Sequence, residues 1–126
     1  GMAKKKKVVL IIEDDPIQLH ALATTLRKEG YAVHTAENGR DGFETAKAKT
    51  PDVILLDIIM PVMDGIAALE KINNDPVTKH IPVIILTNFA LYEEVHPFMN
   101  HDKDHFLTKT NTSLRDIITK VNAILS

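Results

Sequence analysis

The sequence contains no cysteine, so it has neither a disulfide framework nor a thiolate metal site. No apolar run approaches the length that crosses a membrane, and no signal-peptide pattern is present. The glycine-rich signatures G-x-G-x-x-G and G-x-x-x-x-G-K-[ST] are also missing, so no motif supports nucleotide binding. These absences favour a soluble cytoplasmic protein whose function depends on neither thiols nor a bound nucleotide.

The overall balance is that of one soluble globular domain, and we expect a single domain over residues 1–126. Hydrophobic residues make up 44% of the 126 residues and charged residues 25%, with a net charge of -2 that implies no global binding to polyanions. Gly1 before Met2 is interpreted as the remnant of a cleaved tag. The basic run Lys4–Lys7 is interpreted as a solvated lead-in to the first strand, with a nucleic-acid or membrane patch as the alternative. Residues 1–6 are assigned to the tag remnant and this lead-in.

Apolar blocks that alternate with helical patterns predict an α/β fold. Continuous apolar runs predict buried strands over Val8–Ile12, 53–56 and 81–86, whereas 31–36 alternates like an edge strand and 105–108 is short. A first helix is predicted to begin at Asp15-Pro16 and to end at Gly30. Further helices are predicted to cover 40–49, the region of Ile66–Ile72, a weaker 90–100 and 114–125. Five strand–helix units predict a doubly wound parallel sheet with helices on both faces.

Polar residues follow the predicted strands at one end of this sheet. The first strand ends in Glu13-Asp14-Asp15, the third in Asp57, the fourth in Thr87 and the fifth in Lys109. Each alone is an ordinary turn or cap residue. Ligands of open parallel sheets bind at the carboxyl ends of the strands, so the joint pattern predicts a site there.

The chemistry of these side chains points to phosphoryl transfer. Neighbouring carboxylates repel unless a cation is present, and an all-oxygen set with few protein ligands favours Mg²⁺. A cation, an ammonium and a hydroxyl together suit a phosphoryl group, which makes Asp57 a candidate nucleophile. A purely structural role for the same residues remains an open alternative at this point.

Four stretches in the right order carry a family resemblance: "LIIEDDP", "ILLDIIMPVMDG", "IPVIILT" and "FLTK". With them the chain resembles the receiver domain of two-component response regulators, the CheY-like family, over nearly its whole length. The resemblance implies a five-stranded flavodoxin-like sheet with the strand order 2-1-3-4-5 and five helices.

The resemblance also implies a role for each matching residue. Asp57 is similar to the phosphoacceptor, Asp14 to the acid that binds Mg²⁺ directly, and Glu13 to a companion acid that acts through water. The Ile59 backbone carbonyl would complete the protein ligands of the metal. Thr87 is similar to the switch hydroxyl, Lys109 to the lysine that pairs with the phosphoryl group, and Phe106 to the switch aromatic.

The function implied is that of a signalling switch and not of an enzyme. The phosphoryl group would come from a phosphohistidine on a sensor histidine kinase or phosphotransfer protein, and phosphorylation would change a surface that binds a downstream protein. That surface is expected on the fourth helix, fifth strand and fifth helix. Direct contact with nucleic acid or membrane is not expected, and a phosphorylation-linked dimer remains open.

Several residues depart from the family pattern. Thr110 stands where proline is usual, Asn88 where a small alanine is usual, and Phe106 lacks a tyrosine hydroxyl. Asn88 is expected either to narrow access to Asp57 or to add a hydrogen bond. The segment "MNHDKDHF" replaces a Gly-Ala-rich approach to the fifth strand and predicts an irregular fourth helix.

Two further hypotheses come from individual residues. Ile59 and Phe89 lie two positions after Asp57 and Thr87; both are apolar and cannot orient a water, which predicts slow loss of the phosphoryl group. Three histidines with two aspartates suggest a metal site, but their spacing fits no trusted ligand pattern and solvated surface is the favoured interpretation. These five residues are His96, His101, Asp102, Asp104 and His105.

Two other classes of protein fit the sequence less well. An enzyme with an aspartyl-phosphate intermediate, such as a phosphatase, usually needs a second aspartate two residues after the nucleophile, where this chain has Ile59. A degenerate receiver acting as a constitutive binding module would not need the retained set of Glu13, Asp14, Asp57, Thr87 and Lys109.

Overall fold

The structure is a computed structural model that describes residues 5–58 and 62–126, without the side chains of residues 62 and 63. The strands are β1 (Val8–Ile12), β2 (Ala32–Ala36), β3 (Val53–Ile58), β4 (Val83–Thr87) and β5 (His105–Thr108). The helices are α1 (Pro16–Lys28), α2 (Gly39–Lys49), α3 (Val62–Asn74), α4 (Tyr92–Val95) and α5 (Leu114–Leu125). Across the described residues, none of these helices has both the length and the apolar character needed to span a bilayer.

The five strands form one parallel sheet in the order β2-β1-β3-β4-β5, as the resemblance implied. Connections between parallel strands must cross over the sheet, so each helix lies on one of its two faces. In the register of β3 and β4, Asp57 is opposite Leu86 and Ile58 is opposite Thr87. The central strands therefore deliver Asp57 and Thr87 at nearly the same height on the sheet.

Two hydrophobic cores cover the two faces of the sheet. Successive residues of a strand point to opposite faces, so Leu10 and Ile12 enter one core while Val9 and Ile11 enter the other. The first core contains residues of α2, α3 and α4, and the second contains residues of α1 and α5. Burial on both faces explains why the central strands are continuous apolar runs.

The ends of α1 agree with the prediction from its sequence. Asp15 is the N-cap, its carboxylate accepts a hydrogen bond of 3.0 Å from the Ile17 amide, and Pro16 occupies the first turn. Gly30, just beyond the helix, has a φ of 100°, a conformation that glycine adopts without a steric penalty.

The bounds of β3 and β4 differ from the prediction. β3 continues through Asp57 to Ile58, and β4 begins at Val83 instead of 81 and includes Thr87. The prediction ended each strand where apolar residues ended, but backbone pairing between β3 and β4 continues past that point. Asp57 and Thr87 are thus held by the hydrogen-bonded sheet itself.

The predicted helix over 90–100 is wrong in its length, although its irregularity is confirmed. A single α-helical turn, α4, lies between the 3₁₀ turns Phe89–Leu91 and His96–Phe98. Pro97 has no amide hydrogen to donate, which prevents the helix from continuing. At its start the Asn88 side chain accepts a hydrogen bond of 2.9 Å from the Ala90 amide, so Asn88 adds a hydrogen bond, one of the two expected effects.

The segment before β5 is not a uniformly solvated surface, which corrects the interpretation of Asp104. Asp104 is buried and accepts hydrogen bonds of 3.0 Å from the Val83 amide and 2.9 Å from both the Asn73 side chain and the Asn100 amide. Lys103 lies 2.5 Å from its carboxylate. This network joins α3 to the starts of β4 and β5.

Thr50 carries backbone strain that can be tested. It ends α2 with a φ of 41°, in the left-handed region that β-branched residues avoid. We expect Thr50→Gly to raise the free energy of unfolding by about 1 kcal/mol, measured by urea denaturation. Thr50→Ala is the control, because alanine keeps most of the penalty at positive φ; an equal gain in both variants would contradict strain as the cause.

Candidate functional site

The carboxyl edge of the sheet gathers four of the side chains singled out from the sequence. Glu13 follows β1 and its amide donates to the Ala36 carbonyl at 3.0 Å, which fixes it beside β2. Asp57 and Thr87 lie near the ends of β3 and β4, and Lys109 begins a 3₁₀ turn after β5. The parallel order of the strands is what brings these residues to one edge.

Asp57 and Lys109 form an ion pair at the centre of this edge. The Lys109 Nζ lies 2.8 Å from Asp57 Oδ1, and the Asp57 side chain has no exposed surface. The contact is close but poorly angled, so within the described residues neither Asp57 oxygen accepts a well-formed hydrogen bond. Lys109 also donates a long hydrogen bond of 3.5 Å to Gln18 Oε1 on α1. Asp57 therefore has a charge partner and still has unused acceptor capacity.

Glu13 is the least satisfied polar group of the site. It is 1% exposed, and neither carboxylate oxygen has a hydrogen-bond partner among the described residues. Burial, followed by the negative charge of Asp57, raises the pKa of Glu13 to about 8. Burial also raises the pKa of Asp57, whereas Lys109 acts in the opposite direction. Two buried carboxylates with one ammonium leave a site that favours a second positive charge.

The cavity beside these carboxylates suits a hydrated divalent cation. It has a volume of about 80 Å³, and its walls include Glu13, Asp57 and the exposed residue Asp14. This volume is several times what one water needs. Within residues 5–58 and 62–126, no three acidic or histidine side chains form a complete metal cage. Oxygen ligands, few of them from protein, with room for water match the preferences of Mg²⁺.

Two glycines allow the segments around this cavity to pack closely. A Cβ on Gly39, at the start of α2, would lie 2.6 Å from the Asp64 carbonyl oxygen. A Cβ on Gly65, in the first turns of α3, would lie 2.8 Å from Cγ1 of Ile58, next to Asp57. Gly65 and its neighbour Asp64 both lie in α3.

The Thr87 hydroxyl is fixed in its orientation by a hydrogen bond. Thr87 is fully buried, and its hydroxyl donates a hydrogen bond to the Ile58 carbonyl of the neighbouring strand. The hydroxyl thus has a backbone partner in this conformation, one residue beyond Asp57. Ile59, the other predicted contributor on this side, lies outside the described residues.

A row of aromatic rings extends from the region of Thr87 to the surface of α4. Its central residue, Tyr92, was not identified from the sequence. The Tyr92 ring packs edge-on against Phe106 with a centroid distance of 4.9 Å. It also stacks on Phe89 at 6.4 Å and on His96 at 5.1 Å. The spacing of residues 89, 92 and 96 fits one helical face and could have identified the row.

The histidine-rich segment does not assemble into a metal site in the described residues. The rings of His96 and His101 are 6.1 Å apart, and His101 Nε2 lies 3.2 Å from the His96 carbonyl. Asp104 is committed to its buried network, and burial lowers the pKa of His105 in β5.

Comparison with known proteins identifies close similarity to one family. The family model described as "Response regulator receiver domain" matches residues 9–122. The matched region includes β1 from Val9 onward, the other four strands and every residue of the site above.

Two curated relatives match part of the chain. Protein PilH of Pseudomonas aeruginosa is 43% identical over 79 residues, which are 63% of this chain and 65% of PilH. Response regulator PleD of Caulobacter vibrioides is 39% identical over 79 residues, 63% of this chain but only 17% of PleD. Each match thus spans less than two thirds of the relative.

Solved structures match the fold over nearly the full chain. The receiver domain of a sensor histidine kinase from Pseudomonas aeruginosa, with a magnesium ion coordinated in its active-site cleft, is 28% identical with a TM-score of 0.80. The match covers 97% of this chain and 100% of that one. A CheY-like receiver domain protein from Methanospirillum hungatei is 26% identical with a TM-score of 0.81, covering 94% and 93% of the two chains.

The buried carboxylate of Glu13 predicts a pH dependence of stability. The pKa of Glu13 is raised from 4.5 to about 8 in the folded chain, so folding binds an extra proton between these values. Without metal, we expect the free energy of unfolding to fall as the pH rises from about 4.5 to about 8, and Glu13→Gln to flatten this fall. Chemical denaturation in the presence of EDTA, carried out at several pH values, measures this dependence.

The exposed neighbour Asp14 supplies the control for this experiment. Asp14→Asn removes an acid beside the same cavity without removing a buried charge. We expect Asp14→Asn to keep most of the pH dependence. A wild-type slope retained in Glu13→Gln would show that Glu13 does not carry the destabilising charge.

Proposed function

Because the chain belongs to the response regulator receiver domain family, whose members are phosphorylated in two-component signalling, we propose that Asp57 is its phosphoacceptor. The donor is a phosphohistidine on a histidine kinase or phosphotransfer protein. The observation that supports this most directly is the contact of 2.8 Å between Lys109 Nζ and the buried Asp57 carboxylate. An ammonium at that distance can stabilise charge on a phosphoryl group transferred to the neighbouring oxygen.

The transfer is a substitution at phosphorus. A carboxylate oxygen of Asp57 forms the new P–O bond while the P–N bond to the donor imidazole breaks. The electron pair of that bond stays on the imidazole nitrogen, which takes up a proton from solvent. Lys109 moves its charge from the carboxylate toward the phosphoryl oxygens, and the Gln18 side chain lies within reach of the same ammonium.

We propose that Mg²⁺ is required, and the residues present fit it. Glu13 and Asp57 have unpartnered buried oxygens, Asp14 lines the same cavity, and the Ile59 carbonyl is assigned by resemblance. The bound ion would supply positive charge that offsets the charges of these acids and of the phosphoryl group. With the ion bound, the Glu13 carboxylate would present negative charge toward this position, and its oxygens have no competing donor among the described residues.

The switch is proposed to use Thr87 and Phe106. Phosphorylated Asp57 offers Thr87 a charged acceptor in place of the Ile58 carbonyl, and hydrogen bonds to charged acceptors are stronger. Movement of Thr87 would allow the aromatic row of Phe89, Tyr92, His96 and Phe106 to repack. The surface of α4, β5 and α5 would change with it and bind a downstream protein.

Receiver domains are signalling switches that act with histidine kinases and downstream targets, and they are not generally classed as enzymes. We propose the cytoplasm as the location, because kinases that supply phosphohistidine consume intracellular ATP. A dimer formed on phosphorylation is an additional proposed state.

Phosphorylation of Asp57 is tested with a small donor. On incubation with acetyl phosphate and Mg²⁺, we expect intact-protein mass spectrometry to show one added phosphoryl group, because Lys109 and the cation stabilise the transfer without a kinase. EDTA or Asp57→Asn should abolish it. Asp52→Asn is the matched control, since Asp52 lies at the opposite end of β3. A stable adduct on Asp57→Asn would refute Asp57 as the acceptor.

The lifetime of the phosphoryl group tests the apolar residues beside the site. Phe89 is 70% exposed and cannot orient an attacking water, as Ile59 cannot by its chemistry. We expect slow spontaneous loss in the wild type and faster loss, by about tenfold or more, in the double variant Ile59→Asn/Phe89→Glu. The decay is followed by mass spectrometry after removal of the donor. Ile59→Leu/Phe89→Leu is the control, and unchanged decay in the polar variant would contradict the explanation.

A further inference from the structure

A basic cleft lies at the amino edge of the sheet, at the end opposite to Asp57. Its volume is about 230 Å³. Four of its lining residues are lysines, and the remainder come from the end of α2, the start of β1 and the residue just before β3. The lining residues are Lys5, Lys6, Lys7, Val8, Lys49, Thr50 and Asp52. Because the cleft is lined by four ammoniums and one carboxylate, its net charge is about +3.

The lysines of this cleft have no charge partners among the described residues. None of the four takes part in an ion pair, whereas Lys47 nearby pairs with Asp75 at 3.2 Å. The Asp52 carboxylate is already used, because its Oδ2 accepts a hydrogen bond of 2.7 Å from the Val8 amide. The four ammoniums are therefore available to a ligand.

Hydrogen bonds fix the backbone around the cleft. The Asp52 amide donates to the Val8 carbonyl at 2.8 Å, so Val8 and Asp52 are joined in both directions. The Lys7 carbonyl accepts from the Ala32 amide at 2.9 Å, and the Thr50 amide donates to the Ala46 carbonyl at 2.9 Å. Thr50 is also the non-glycine residue at positive φ found in the described chain. The part of the wall formed by Lys7, Val8, Thr50 and Asp52 is thus held by backbone hydrogen bonds.

The helix dipole explains only part of this charge. Lys47 and Lys49 lie in the last turn of α2, where positive side chains stabilise the helix. Lys5, Lys6 and Lys7 precede a strand, so no helix end accounts for them. Three positive charges beside the cleft remain without a role in folding that the structure reveals.

We propose that this cleft binds a compact phosphate-bearing anion of the di- or triphosphate class, free or as a lipid headgroup. Lysine ammoniums bind phosphate as point charges, and several of them around a concave site match several negative oxygens. A duplex nucleic acid is typically bound by basic side chains spread over one face or along a helix, whereas these four lysines line one concave cleft. Because β1 separates the cleft from the phosphoacceptor edge by about 17 Å, the bound anion leaves Asp57 accessible. The proposal is independent of phosphotransfer.

The test uses tripolyphosphate in metal-free buffer, with binding followed by amide shifts in NMR spectra of the full chain. We expect saturable shifts at Val8, Lys49 and Thr50 and affinity weakened about fivefold or more in Lys5→Ser/Lys6→Ser. The control Lys71→Ser/Lys79→Ser removes the same charge outside the cleft and should keep wild-type affinity. Circular dichroism verifies that each variant is folded.

A second arm identifies the source of the phosphate. Phosphatidylcholine vesicles that contain a polyphosphorylated phosphoinositide are compared with vesicles of pure phosphatidylcholine in a sedimentation assay. Cleft-dependent binding to these vesicles alone supports a headgroup, and cleft-dependent binding to tripolyphosphate alone supports a free ligand. The proposal would be overturned by any of four results: an equal loss of affinity in the two lysine variants, NMR shifts at residues outside the cleft, no binding to either probe, or tighter cleft-dependent binding to duplex DNA.

Discussion

The site depends on one electrostatic imbalance: two buried carboxylates, Glu13 and Asp57, face a single ammonium, that of Lys109. An unpaired charge in a protein interior is costly, so the fold must hold the imbalance by other means. The stability comes from the sheet, where β1, β3 and β4 are buried on both faces and bonded to two neighbours. A rigid, apolar sheet is therefore the condition for a charge-rich edge that could serve the proposed binding of a cation and a phosphoryl group.

The fold was predictable because its signals are local and repeated. Continuous apolar runs identified β1, β3 and β4, and the cap at Asp15 with Gly30 beyond the helix located α1. The strand order itself came from the family resemblance, since periodicity alone does not specify which strands are neighbours. The ends of β3 and β4 were less accurate, because backbone pairing continues through the polar residues Asp57 and Thr87.

The candidate site was predictable as a set of residues and not as a set of contacts. Topology brings strand ends together, so Glu13, Asp57, Thr87 and Lys109 could be grouped without coordinates. The bond from Thr87 to the Ile58 carbonyl, the burial of Asp104 and the packing of Tyr92 on Phe106 depend on side-chain orientation. Orientation is decided by tertiary packing between residues that are distant in sequence, and no local pattern records it.

The brevity of α4 has an energetic consequence for signalling. One helical turn between two 3₁₀ turns has few internal hydrogen bonds, so little free energy separates its arrangement from alternative ones. Coupling between two sites in a protein is typically worth about 1–3 kcal/mol. A segment this loosely held can be redistributed among conformers by so small a bias, whereas a long, well-bonded helix would resist it. Economy of structure at α4 would thus make the proposed switch sensitive to a modest chemical input.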